Sequence, residues 1–174
     1  MDMKVCKFGG SSLGESRRLE QILTILRDDT QRRCVVVSAP GKSDTAPVKV
    51  TDLLIEASHK RLAGDDPSEE IQAVRRRYHD VYDPLGVDPK RTDAILEDLD
   101  QRIGSDASDP ARFRDLLAAA GEALNAKVFA EFLRKRDVDA VAVDPVDIGL
   151  RVSSEFGNAQ PLDEATFNLA QLKK

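Results

Sequence analysis

Short unbroken apolar runs alternate along this chain with stretches whose apolar residues recur every three or four positions. The opening run, Met3–Phe8, fits a strand and ends in Gly9-Gly10-Ser11-Ser12. Over Glu15–Asp29, Leu19, Ile22, Leu23 and Leu26 stand at helical spacing. Cys34–Val37 is a continuous, largely β-branched apolar run, the pattern of a strand buried in a parallel sheet. Strand, glycine turn, helix and strand make a βαβ unit, whose crossover is almost always right-handed.

A twelve-residue loop, Ala39–Val50, follows and carries Pro40, Gly41 and Pro47, with Lys42 and Lys49 its only cations. Loops of that length are often functional. Thr51 then stands where a helix N-cap is expected, ahead of Leu53, Leu54 and Ile55, and that helix runs to about Gly64. Residues 65–108 read as a helical excursion over the sheet, largely solvated. Its helices are expected at Pro67–Tyr82 and at Pro89–Ile103, the second with Ile95, Leu96, Leu99 and Ile103 on one side. One long helix is expected over Pro110–Arg136, with Gly121 inside it. A third strand is expected at Val138–Val143, a fourth at Arg151–Phe156, and a last helix at Asp163–Leu172.

Composition narrows the class. The 174 residues are 41% hydrophobic and 33% charged, too apolar for disorder and too polar for a membrane protein. A net charge of −5 gives no general pull on nucleic acid, so a bound phosphate must be held locally. Cys6 and Cys34 lie in apolar runs and read as small buried hydrophobes, with neither metal spacing nor a disulfide framework. His59 and His79 sit in charged helical stretches, which argues against a histidine-based site. Met1–Lys7 has no signal-peptide pattern and no window is apolar enough to span a membrane, so a protein of a reducing compartment, the cytoplasm, is expected.

Lys7-Phe8-Gly9-Gly10-Ser11-Ser12 is the sharpest chemical signal. Ligands of open α/β sheets bind off the carboxyl ends of strands. Glycines there let backbone N–H groups approach an anion, the following helix adds its positive end, and Lys7 adds a full charge. The P-loop pattern fails, because Glu15 follows Gly14 where a lysine is required, and no G-x-G-x-x-G is present. A tight turn beside an edge lysine is the plainer alternative. Glu122 has Ala118, Ala119, Asn125 and Ala126 as its helical neighbours, so space is expected above its carboxylate. Gly121 is costly inside a helix and points to close backbone approach or a helix break. Arg75-Arg76-Arg77 reads as a solvated helix face balanced by Asp80 and Asp83, and Arg134-Lys135-Arg136 as cations favourable at a helix C-terminus.

The motifs resemble those of the aspartokinases, in the amino-acid kinase superfamily. Lys7-Phe8-Gly9-Gly10-Ser11-Ser12-Leu13 is similar to the opening of that family. Val37-Ser38-Ala39-Pro40-Gly41-Lys42 and Lys49-Val50-Thr51-Asp52-Leu53-Leu54 are similar to its second strand, loop and helix start. Gly121-Glu122 with Asn125-Ala126-Lys127, and Asp147-Ile148-Gly149-Leu150, resemble two further motifs in order.

The resemblance implies a three-layer αβα sandwich with a mainly parallel sheet. It implies ATP-dependent phosphorylation of the side-chain carboxylate of L-aspartate, with Mg²⁺ accompanying ATP, in the biosynthesis of lysine, threonine and methionine. By the same resemblance Lys7 contacts the ATP phosphates, and backbone N–H groups around Phe8, Gly9, Gly10 and Ser11 help to hold them. Thr51 and Glu122 contact aspartate, with Ser38 and Asp52 as weaker candidates, and no metal ligand is assigned. A homo-oligomer is expected. The family's second glycine-rich segment, ending in Gly-Ser-Asp, has no counterpart between Leu150 and Lys174. The chain is therefore expected to be the N-terminal portion of a kinase domain, without the nucleotide-binding half or regulatory domains, and inactive alone. A kinase of another carboxylate or carbamate, or a non-catalytic binding or regulatory subunit, are the alternatives.

Overall fold

β1 (Lys4–Phe8) and β2 (Arg32–Val37) lie side by side in parallel, with Cys6 opposite Val35 and Phe8 opposite Val37. The computed structural model describes residues 3–162. Side chains alternate across a strand, so Cys6, Phe8, Val35 and Val37 pack on the core. On the opposite face Val5 stays 63% and Val36 46% exposed. Both cysteines are free and only half-buried, not enclosed as expected. A 3-10 turn, Gly10–Leu13, leaves β1, and Leu13 plugs it into the core at zero exposure. α1 (Ser16–Arg27) buries the expected Leu19, Ile22, Leu23 and Leu26 and returns the chain to β2. The fold is thus mixed α/β around a parallel sheet that does not close.

Among the described residues, four of the five α-helices after β2 start within a residue or two of their sequence signals. They are α2 (Val50–Ala63), α3 (Ser68–Tyr82), α4 (Pro89–Ile103), α5 (Pro110–Ala118) and α6 (Ala120–Lys135). α4 and α5 begin with proline after an aspartate that caps them: Asp88 accepts from the Lys90 N–H, and Asp109 from those of Ala111 and Arg112. α2 ends on Gly64 with φ of 84°, a left-handed stop that glycine adopts readily.

Four expectations are corrected. The long helix over Pro110–Arg136 is two helices: Ala119 keeps φ near −74° but opens ψ to −13°, which interrupts the helix before α6 starts. Residues 65–108 are not a solvated excursion, because α3 sends Ile71, Val74, Tyr78, Val81 and Tyr82 into the core between α2 and α4. Among the described residues Val138–Val143 does not pair as a strand. Val138 and Ala140 touch the core, but Val141 is 78% exposed and the Ala140 carbonyl accepts from Arg134 instead of a strand. Of Arg151–Phe156 only an isolated antiparallel bridge forms, Val152 to Pro161. The helix expected at Asp163–Leu172 lies outside the described residues.

Tyr78 and Tyr82 stack one helical turn apart, ring centroids 6.4 Å apart, and are the only tyrosines. The Tyr78 hydroxyl donates to the Gly121 carbonyl at 2.8 Å and that of Tyr82 to Asn125 Oδ1 at 2.7 Å. Burial pushes both phenols above their ordinary range. The folded state therefore holds these protons longer than the unfolded chain does. Their contribution is complete below the unfolded value of about pH 10 and declines as pH rises beyond it. Alkaline titration of the purified chain is expected to show no tyrosinate absorbance until circular dichroism reports unfolding. Tyrosinate appearing before loss of helix would contradict this packing.

Candidate functional site

Two glycine-bearing turns leave the carboxyl ends of β1 and β2 and press together. The Gly41 N–H donates to the Gly10 carbonyl at 2.8 Å. A Cβ on Gly41 would lie 2.4 Å from the Gly10 carbonyl carbon and 2.8 Å from the Ser11 nitrogen, and one on Gly10 3.0 Å from the Ala39 oxygen. Only bare backbone fits on both sides. A cleft of about 520 Å³ opens above this contact. Gly10 and Ser11 line it from the first turn, Ser38 to Lys42 from the second, and Lys49, Thr51 and Asp52 from the start of α2.

Lys7 stands on the outward face of β1, exposed, opposite Val36. Its Nζ lies 3.6 Å from where a Gly9 Cβ would be, so the ammonium folds back over the turn. Among the described residues it makes no ion pair. Phe8 is half-buried on the core face, which leaves its backbone alone for the turn. The Ser12 N–H is used by the Gly9 carbonyl at 2.9 Å. The N–H groups of Gly10 and Ser11 find no acceptor among the described residues, as expected of a first helical turn.

Glu122 and Ser38 meet at the end of β2. Glu122 Oε1 accepts from Ser38 Oγ at 3.4 Å and from the Ala39 N–H at 3.3 Å. The space expected above the carboxylate is thus partly taken by the β2 turn. The position is fixed from below: Asn125 Nδ2 donates to the Ser38 carbonyl at 2.7 Å while Asn125 Oδ1 accepts from Tyr82. Gly121 explains how α6 comes so near, since a Cβ there would lie 2.8 Å from the Ala39 Cβ. Of the two readings of Gly121, close approach or a helix break, this is the first, and the break lies two residues before it at Ala119.

Thr51 is not an N-cap. α2 begins at Val50 after Lys49, no side chain caps it, and Thr51 sits in the first turn, half-buried at the cleft wall. The helix starts before Thr51, and its first N–H, that of Val50, is met from outside by the Pro40 carbonyl at 3.3 Å. Asp52 beside it is exposed. Of the expected site residues the cleft therefore gathers Gly10, Ser11, Ser38, Thr51 and Asp52. Lys7, Phe8 and Gly9 adjoin it through the first turn, and Glu122 through Ser38 and Ala39.

The arginine run hid a residue that sequence reasoning missed. Arg75 pairs with Asp100 at the surface, but Arg77 is only 4% exposed. Its Nη2 donates to the Gly41 carbonyl and its Nη1 to Ser43 Oγ at 2.8 Å. Burial pulls its guanidinium below the ordinary arginine value, against the pull of Asp80 and Glu15. Helical spacing carried a signal, since Val74, Arg77, Tyr78 and Val81 share one face, but a charge amid that stripe reads first as a boundary residue.

Among the described residues, a parallel sheet with paired glycines, a lysine without an ion pair and a half-buried carboxylate at its carboxyl rim defines an α/β protein with a cleft between its first two turns. The amino acid kinase family matches residues 2–171, and the chain belongs to that family. It is 41% identical over 172 residues to aspartokinase 3 of Bacillus subtilis, covering 99% of this chain and 38% of that protein. It is 28% identical to the lysine-sensitive aspartokinase 3 of Escherichia coli, covering 99% of this chain and 37% of that protein. The crystal structure of E. coli aspartokinase III in complex with aspartate and ADP superposes with a TM-score of 0.76 at 26% identity, again over 99% of this chain and 37% of that one. The chain thus spans less than two-fifths of the length of these relatives.

Proposed function

We propose that the protein containing this chain phosphorylates the side-chain carboxylate of L-aspartate with ATP, giving 4-phospho-L-aspartate. The observation that carries this reading is the unpaired Lys7 ammonium folded over Gly9, at the same sheet rim where Glu122 is held against Ser38. The residues present fit a nucleotide's phosphates, because among the described residues the N–H groups of Gly10 and Ser11 have no acceptor beside that ammonium.

ATP, when bound, supplies the phosphoryl group. Phosphoryl transfer asks a protein mainly for positioning and charge stabilisation. In this reading Lys7 steadies the terminal phosphate oxygens, and the backbone of Phe8, Gly9, Gly10 and Ser11 holds the chain of phosphates. Thr51 orients the aspartate by hydrogen bonding from the cleft wall. Glu122 receives the aspartate ammonium on Oε2, the oxygen not used by Ser38 and Ala39. Ser38 and Asp52 complete the pocket. Mg²⁺ would arrive with the nucleotide; among the described residues no three His, Cys, Asp or Glu gather to hold a metal. The chain forms the N-terminal portion of its kinase domain, in a cytoplasmic homo-oligomer. No described helix is long and apolar enough to cross a membrane.

Trapping the acyl phosphate with hydroxylamine tests this. The full-length protein is expected to form aspartyl hydroxamate with ATP and to prefer aspartate over glutamate, whereas the 174-residue chain alone forms none. Normal turnover by the isolated chain would contradict its reading as a partial site. Preference for another carboxylate would move the assignment elsewhere in the family.

A further inference from the structure

Two charged side chains are buried among the described residues, and only one has a counter-ion. Glu70 is paired with Lys60 at 2.6 Å. Arg77 has no carboxylate within ion-pair distance, Asp80 and Glu15 acting on it only from farther away, and its buried Nε has no hydrogen-bond partner. An unpaired cation in the interior is costly, so its position calls for a compensating role. Its two bonds go to Gly41 and Ser43, the residues on either side of Lys42. The other side of that contact is Gly14. A Cβ there would lie 2.9 Å from the Lys42 carbonyl, 3.1 Å from that of Gly41 and 3.3 Å from Arg77 Nη2. The guanidinium therefore sits under the junction of both turns. Lys42 itself lines the cleft and makes no ion pair among the described residues.

We propose that Arg77 is a positioning residue whose forked guanidinium clamps the Gly41–Ser43 turn onto Gly14 and so holds the Lys42 ammonium at the cleft, where it contacts the anionic end of the bound nucleotide. This rests on the kinase reading above. A lysine cannot replace the clamp, since its point charge does not span two acceptors held apart by a residue.

The test is a double-mutant cycle in the full-length protein, read as KM for ATP and kcat separately, with Arg77→Lys and Lys42→Ala. Each single change is expected to raise KM for ATP about tenfold, the scale of one lost charge-assisted hydrogen bond. kcat for saturating substrates changes much less. The double variant is expected to be no worse than Lys42→Ala alone, because the clamp acts through that lysine. Ser43→Ala removes one arm of the clamp without emptying the core. It carries the same cycle should Arg77→Lys fail to fold, with a smaller rise in KM. Multiplying effects, or a lowered melting temperature with KM unchanged, would make Arg77 a core residue only and overturn the proposal. A wild-type protein without hydroxamate activity overturns the kinase reading and this proposal together; an active wild type with multiplying effects overturns this proposal alone.

Discussion

Lys7→Ala in the full-length protein is expected to lower aspartyl hydroxamate formation by about 10²–10³-fold, the cost of removing one preorganised charge-stabilising donor. The fold should not notice. Lys7 is exposed, makes no ion pair among the described residues and contributes nothing to the core, so the melting temperature stays near that of the wild type. That separation makes the experiment decisive. A solvated lysine at a strand edge predicts unchanged activity, and a structural lysine predicts lost stability. Only a phosphate-binding lysine predicts lost activity in an intact fold.

Gly41→Ala is expected to do the reverse and damage the fold first. The new methyl would stand 2.4 Å from the Gly10 carbonyl carbon and 2.6 Å from its oxygen, and neither is the end of a flexible side chain. The two turns must separate, which breaks the Gly41 to Gly10 hydrogen bond and pulls on the Arg77 bond to the Gly41 carbonyl. Forced overpacking of this kind costs about 1–3 kcal/mol, and the lost backbone bond adds to it. Thermal melts of the variant should show that loss, with activity falling alongside. Gly9→Ala is the informative partner, since a Cβ there meets only Lys7 Nζ at 3.6 Å. It should melt like the wild type, because that is an ordinary contact with the end of a flexible side chain. Equal melting temperatures for the Gly41 and Gly9 variants would contradict the tight packing of the two turns.

What the sequence revealed and what it hid have physical causes. The βαβ start was legible because its strands are unbroken apolar runs, its helix has a clean stripe, and its turn is marked by paired glycines. The same residues placed the cleft, since a parallel sheet puts its ligands at one rim. Val138–Val143 was misread because alternation records which face is buried but not whether a neighbouring strand stands alongside to receive the ladder. The break at Ala119 falls among alanines, each of which suits an unbroken helix, and its one signal was Gly121 two residues on, which allowed either a break or a close approach. Thr51 has the chemistry of a cap, but α2 starts two residues earlier than a cap there would place it, with Lys49 at the N-cap position. Arg77 was lost inside a basic triplet. Its partners are a backbone carbonyl and a serine more than thirty residues away, and a backbone acceptor leaves no mark in sequence.

A crystal structure of the full-length protein with ADP and aspartate is expected to show Lys7 Nζ within about 3 Å of a phosphate oxygen, with the Gly10 and Ser11 N–H groups turned to the same phosphates. A nucleotide bound elsewhere, with the Lys7 ammonium paired to a carboxylate or left in solvent, would contradict the phosphate-binding role of Lys7.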